Sequence, residues 1–244
     1  EAYPMAEVRS VALSAPRGAR LSEVLSARPI SLIAEVKRAS PSRGLIKEAL
    51  DALELAKAYV DGGADAISVL TEPDYFQGSF DDLRSVRSAV EVPLLCKDFI
   101  FCPYQVYRAR AAGADAILLI AAILSDDTLR ELSQLGEDLG MDALVEVHDA
   151  HEMRRVRNLQ AGLVGINNRD LSDFSVNLQT FESLAPGAPD ASILVAESGI
   201  HSAADVRRMR AAGARGVLVG EMLVRSSDPA ATVRDLLSGS EVHQ

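Results

Sequence analysis

The apolar run SLIAEVK, residues 31–37, ends on an acid and a base two positions apart, Glu35 and Lys37. Residues i and i+2 of a strand point to one face, so both charges leave the same side of an apolar segment. Either they neutralise each other, or they face a polar pocket at the strand's end. Other apolar runs finish in the same manner. VPLLCK ends on Lys97, DALVEV carries Glu146, QAGLVGIN ends on Asn167, and ASILVAE ends on Glu197 with Ser198 behind it. Carboxylates, ammonium groups, an amide and a hydroxyl suffice for proton transfer and for stabilising charge as it develops on oxygen. The plainer reading, ion pairs bracing one edge of the fold, is disfavoured because buried charge networks add little net stability. Ionisable groups gathered at one rim point to catalysis.

The elements that must gather them show in a repeat. DGGADAISVL begins at Asp61, AAGADAILLI at Ala111 and AAGARGVLVG at Ala211, with a weaker copy, QAGLVGIN, at Gln160. Each copy closes an Ala-rich helical stretch, turns at glycine (Gly63, Gly113, Gly162, Gly213) and enters a short apolar strand. Between the copies lie SLIAEVK, VPLLCK, DALVEV and ASILVAE. Eight strands result, ending near Lys37, Thr71, Lys97, Ile120, Glu146, Asn167, Glu197 and Gly220. Segments such as LELAKAYV, YQVYRARA, DDTLRELSQLGEDLG and AADVRRMRA fill the intervals with helix. Eight βα units of this length predict a (βα)8 TIM barrel as one domain over residues 31–244. A doubly wound sheet is the runner-up, weakened by the absence of GxGxxG. Residues 1–30 form an extension with LSEVLSA as its one helical piece.

In such a barrel the strands' C-terminal ends make the active site. There AESGI leads into Ser202-Ala-Ala-Asp205, a helix-capping sequence, and Gly220 is followed at once by a short helical run. Backbone N–H groups at Gly199, Gly220 and Glu221 can surround a phosphate, with the Glu221 carboxylate turned away. Ser40, Pro41 and Ser42 make a rigid hydroxyl-bearing turn near Lys37. The aromatic residues of Tyr75-Phe76-Gln77-Gly78, together with Phe99, suggest an apolar wall for a flat ring.

The formal charge of −10 argues against nucleic acid or an anionic membrane as the main partner. It leaves room for a local basic site and a small anionic substrate. Cys96 and Cys102 form no disulfide framework or zinc spacing, which fits a reducing, cytoplasmic setting. His148 and His151, at i and i+3, read as solvated residues rather than metal ligands. No apolar stretch is long enough to span a bilayer, and no secretory signal opens the chain, whose first residue is Glu and whose start reads as trimmed.

The segments EVKRASPSRG, LTEPDYFQGS, KDFI, LVEVHD, GINNRDL, VAESGI and LVGEMLVR resemble, in order, the motifs of the indole-3-glycerol phosphate synthases. The likeness runs from about residue 30 to residue 236. It implies a barrel enzyme of tryptophan biosynthesis that closes the pyrrole ring of 1-(2-carboxyphenylamino)-1-deoxyribulose 5-phosphate, releasing carbon dioxide and water. By resemblance, Lys97 is the general acid, Lys37 grips the substrate and assists loss of water, and Glu146 is the general base. Glu35 and Asn167 orient these groups, and Glu197 and Ser198 complete the polar wall. Ser40, Arg169, Gly199, Gly220 and Glu221 hold anionic groups, and Phe76, Phe99 and Leu118 line the anthranilate ring. The resemblance implies no cofactor and no metal, and it allows association with other tryptophan-pathway enzymes. The family's extension before its first strand runs to roughly forty residues, so a truncated helical lid is expected over residues 1–30.

Overall fold

A computed structural model of the chain describes residues 3–41 and 44–238. Two helices, α1 (Met5–Ser14) and α2 (Leu21–Ala27), lead into β1 (Ser31–Val36). A small hairpin follows, β2 (Ala39–Ser40) against β3 (Gly44–Leu45). Helices and strands then alternate: α3 (Ala52–Asp61), β4 (Ala66–Leu70), α4 (Phe80–Ala89), β5 (Leu94–Lys97), α5 (Pro103–Ala111), β6 (Ala116–Ile120), α6 (Asp126–Asp138), β7 (Asp142–Val147), α7 (Ala150–Leu159), β8 (Leu163–Asn167), α8 (Gln179–Leu184), β9 (Ile193–Glu197), α9 (Ala203–Ala211), β10 (Gly216–Val219), α10 (Glu221–Arg225) and α11 (Pro229–Leu237). The longer strands are all parallel and close in the order β1-β10-β9-β8-β7-β6-β5-β4. This is the (βα)8 barrel, and each strand ends within one residue of the position read from its apolar run. The hairpin in the first loop has no counterpart in the sequence pattern.

The repeat has a mechanical explanation. Gly63, Gly113 and Gly213 sit at φ 98°, 94° and 104°, a left-handed turn that closes the preceding helix without a Cβ clash. In two copies an Asp follows. Asp65 accepts the Leu32 N–H at 2.9 Å and Asp115 accepts that of Leu94 at 3.0 Å, tying each strand's start to its neighbour. The weaker copy departs from this pattern, because Gln160 (φ 55°) takes the left-handed position and Gly162 does not.

Apolar side chains form an outer shell between strands and helices and an inner core inside the barrel. The inner core includes Ile33, Leu95, Leu144, Val195 and Leu218, and it also contains Leu21 and Leu25 of α2. Both leucines are wholly buried. Asp142, at the start of β7, receives the Ser22 N–H at 2.8 Å and pairs with Arg20 at 2.6 Å. Helix α2 therefore closes the barrel's floor rather than its mouth. Helix α1 adds to the single helical piece read from the sequence. It packs along α5, where buried Arg110 donates to the carbonyls of Ala15 and Pro16. Only Val8 and Ala12 of α1 are buried, an apolar face too narrow to stand out in the sequence.

Candidate active site

At the opposite end the strands open into a cavity of about 840 Å³, and no described residue before Glu35 lines it. Counted in barrel order from β1, the odd strands contribute Glu35, Lys97, Glu146 and Glu197. Barrel interiors are layered in this way, each layer drawn from alternate strands. At this rim the layer is ionic instead of apolar. The Lys97 Nζ donates to Glu197 Oε2 at 2.8 Å and to Glu146 Oε2 at 3.1 Å. The Asn167 Nδ2 donates to Glu146 Oε1 at 3.3 Å. Lys37 pairs with Glu35, and both line the cavity. The two possibilities raised by their spacing are thus both met.

Glycines on or just after the even strands make room for this layer. A Cβ at Gly165 would run into Glu197 Oε1, and one at Gly220 into Glu35 Oε1. The electrostatics follow from three carboxylates crowding one buried ammonium. Burial alone would lower the Lys97 pKa, but Glu146, Glu197 and Glu35 outweigh it and hold it above the ordinary lysine value. Burial pushes Glu146 up, yet Lys97 first and His148 next bring it below the usual carboxyl range. Glu197 stays raised, because burial and the Glu146 charge together exceed the pull of Lys97.

Beside this layer lies a turn suited to an anion. Ser198 and Gly199 have successive positive φ angles, 64° and 82°, and both line the cavity with Gly220 and Glu221. The Glu221 carboxylate pairs with Arg225 Nε at 3.2 Å along α10. Across the cavity, Phe76 and Phe99 stand with ring centres 6.2 Å apart, and Leu118 completes the apolar side. Ser40 and Arg169 also line the space; the Arg169 N–H donates to Asn167 Oδ1, and its guanidinium donates to the Phe174 carbonyl. Ser42 lies outside the described residues. The capping sequence before α9 forms as read, with Ser202 Oγ accepting the Asp205 N–H.

The model of the family described as indole-3-glycerol phosphate synthase matches residues 1–236 of this chain. The chain belongs to the indole-3-glycerol phosphate synthase family. A protein of that name from Mycobacteroides abscessus is 50% identical over 234 residues, covering 96% of this chain and 86% of the relative. One from Mycolicibacterium vanbaalenii is 50% identical over 237 residues, 97% and 87% of the two chains. Among solved structures, a 3-hexulose-6-phosphate synthase superposes with a TM-score of 0.69 at 17% identity, covering 86% of this chain and all of that one. At that identity the likeness speaks for the barrel alone.

Within this family member, several site-building residues carry no signal that sequence reasoning picked out. Asn168, 1% exposed, donates from Nδ2 to the Glu197 and Ser198 carbonyls and accepts the Phe181 N–H, fixing the turn that carries Gly199. Glu72 accepts the N–H groups of Asp74, Tyr75 and Phe76, and Asp98 accepts that of Phe99, so two carboxylates shape the aromatic wall. His148 corrects an expectation. Its side chain is 11% exposed and lies 3.1 Å from Glu146 Oε1, not in solvent, whereas His151 is exposed. For this residue a signal was present: Glu146 and His148 stand at i and i+2, as do Glu35 and Lys37.

Proposed function

We propose a division of labour at this rim for the activity of its family, a decarboxylating lyase of tryptophan biosynthesis acting on a small phosphorylated substrate. The phosphate of 1-(2-carboxyphenylamino)-1-deoxyribulose 5-phosphate sits on the Ser198-Gly199 and Gly220-Glu221 turns, and Ser40 and Arg169 assist in holding anionic groups. The aromatic ring lies against Phe76, Phe99 and Leu118. Lys97 faces the ketone oxygen. Its raised pKa keeps it protonated in the empty site, so it acts first as a fixed charge on that oxygen. The ring carbon bearing the carboxylate attacks the polarised carbonyl, and the proton passes from Lys97 as alkoxide character develops. The electron pair of the carbon–carboxylate bond returns to the ring as carbon dioxide leaves. Lys37, oriented by Glu35, assists departure of the hydroxyl as water. Glu146, with Asn167 on one oxygen, removes the last proton to complete the indole, and Glu197 and Ser198 finish the polar wall.

The observation that carries this reading is Lys97, shared between Glu146 and Glu197, at the base of a cavity with an anion-sized turn on one side and an aromatic wall on the other. An imine-forming aldolase would instead use a lysine where β8 ends on Asn167. Incubation with substrate and borohydride separates the two. A growing indole absorbance with protein of unmodified mass is expected; a stoichiometric adduct on Lys97 or Lys37 would overturn the mechanism. Among the described residues no helix is long and apolar enough to cross a membrane. A cytoplasmic location is part of the same proposal, supported by the free thiols of Cys96 and Cys102. Association with other tryptophan-pathway enzymes rests on family resemblance and is tested by co-purification.

A further inference from the structure

We propose that His148, braced by Glu152, is a positioning residue that keeps Glu146 ionised and so decides which of the two carboxylates on Lys97 serves as the base. The inference rests on the reading of Glu146 as that base. Lys97 by itself barely distinguishes its two partners, at 2.8 and 3.1 Å. What differs is the far oxygen of each. Glu197 Oε1 is buried against Gly165 without a hydrogen-bond partner. Glu146 Oε1 accepts from Asn167 Nδ2 at 3.3 Å and has His148 Nε2 3.1 Å away, a charge contact in which Nε2 makes no aligned hydrogen bond.

The ring of His148 is held from behind. Glu152 Oε2 accepts the His148 backbone N–H at 2.7 Å and lies 3.2 Å from Nδ1. Glu152 is itself buried in the first turn of α7, whose N-cap is Asp149. Both ring nitrogens therefore face carboxylate oxygens. A neutral imidazole has one N–H and would turn a lone pair toward one of them, whereas the imidazolium turns positive charge toward both, as a hydrogen bond at Nδ1 and a charge contact at Nε2. Burial would lower the His148 pKa, but Glu146 and Glu152 raise it to about 10. The full set of charges is small. Lys97 from β5, Glu197 from β9 and His148 face Glu146, while Glu35 of β1 acts on it through Lys97. Glu146, Glu152 and, at longer range, Asp170 after β8 face His148. Of the two carboxylates on Lys97, only Glu146 has a second cation beside it, so the proton the pair retains falls to Glu197. His148 does not line the cavity, so it acts through Glu146.

Nitrogen-detected NMR of uniformly labelled protein at pH 8 should show one imidazolium with both nitrogens protonated, absent from His148→Gln. In that variant the acid limb of the kcat/KM profile should move up by about one to three pH units, the usual effect of removing an opposite charge from a carboxylate. The ratio of variant to parent activity should then fall as pH is lowered through the acid limb and level off above pH 7. Glu152→Gln, which keeps a bracing side chain but removes its charge, should abolish the imidazolium signal and move the limb in the same direction; it carries the test if His148→Gln does not fold. A neutral imidazole in the native enzyme at pH 8, or an equal loss at every pH, would overturn the proposal. Glu146→Gln separates the two readings. Retained turnover there refutes Glu146 as base, whereas an inactive Glu146→Gln beside an unmoved His148→Gln profile refutes only the role of His148.

Discussion

Replacing Lys97 by alanine removes the one ammonium that donates to both Glu146 and Glu197. Two separate losses follow. Without a charge on the ketone oxygen, kcat should fall by about 10² or more, equivalent to about 2.7 kcal/mol of barrier. Stability should fall as well, because the carboxylates left behind are 5% and 2% exposed. Breaking a buried pair by deleting one partner costs about 3–5 kcal/mol when the remaining charge stays ionised. Glu146 keeps His148 beside it, so Glu197, already raised, becomes the orphan and rises further. A carboxyl whose folded pKa lies above its unfolded value retains its proton on folding. Its penalty is absent below the unfolded pKa and is complete once pH exceeds the folded one. The parent's Glu197 already holds its proton up to about pH 8, so the variant's added penalty grows only above that pH, and its melting point should fall further below the parent's at pH 10 than at pH 7. Thermal melts at the two pH values, with turnover followed by indole absorbance, make the measurement. Turnover within tenfold of the parent would remove Lys97 from the chemistry, and an equal melting shift at both pH values would refute the charge accounting.

Other perturbations separate floor from rim. Leu25→Ala leaves a hole in the inner core and should cost about 2–5 kcal/mol in denaturant melts; kcat should stay unchanged, since α2 lies at the far end of the barrel. A large loss of kcat in a folded Leu25→Ala would contradict that separation. Asn168→Ala deletes two donors and one acceptor behind the Ser198-Gly199 turn. About 1–3 kcal/mol of stability should go with each buried group left orphaned, and steady-state kinetics should show KM rising more than kcat falls. Inorganic phosphate should inhibit competitively with substrate through the Gly199 and Gly220 turns. Purely non-competitive inhibition would move the anion site elsewhere.

What was legible in the sequence was local. A helix closed by glycine and followed by an apolar run is written within ten residues, so the strands and their charged ends can be read from the chain alone. The aromatic wall and the glycine turns follow, because each lies just beyond a strand end. The hairpin after β1 has strands of only two residues, too short for an alternating pattern, and α1 buries too little to show a periodic face. His148 looks solvated in the sequence when paired with His151; its i, i+2 spacing from Glu146 points to a shared face, and packing against Glu146 and Glu152 places it there.

Partnership among the charges belonged to the tertiary structure. Lys97 stands 49 residues from Glu146 and 100 from Glu197, and along the chain nothing distinguishes these acids from Glu35. Closure of the barrel sets alternate strands across from one another, which brings Lys97 between two carboxylates and leaves Glu35 to Lys37. Glycines on or just after the even strands hold space for those side chains, so Gly165 and Gly220 acquire meaning only when the facing carboxylates are in place. Residue type decided what chemistry was available. Which group holds the proton depended on distances across the closed sheet, because electrostatic coupling acts through space and strengthens as water is excluded.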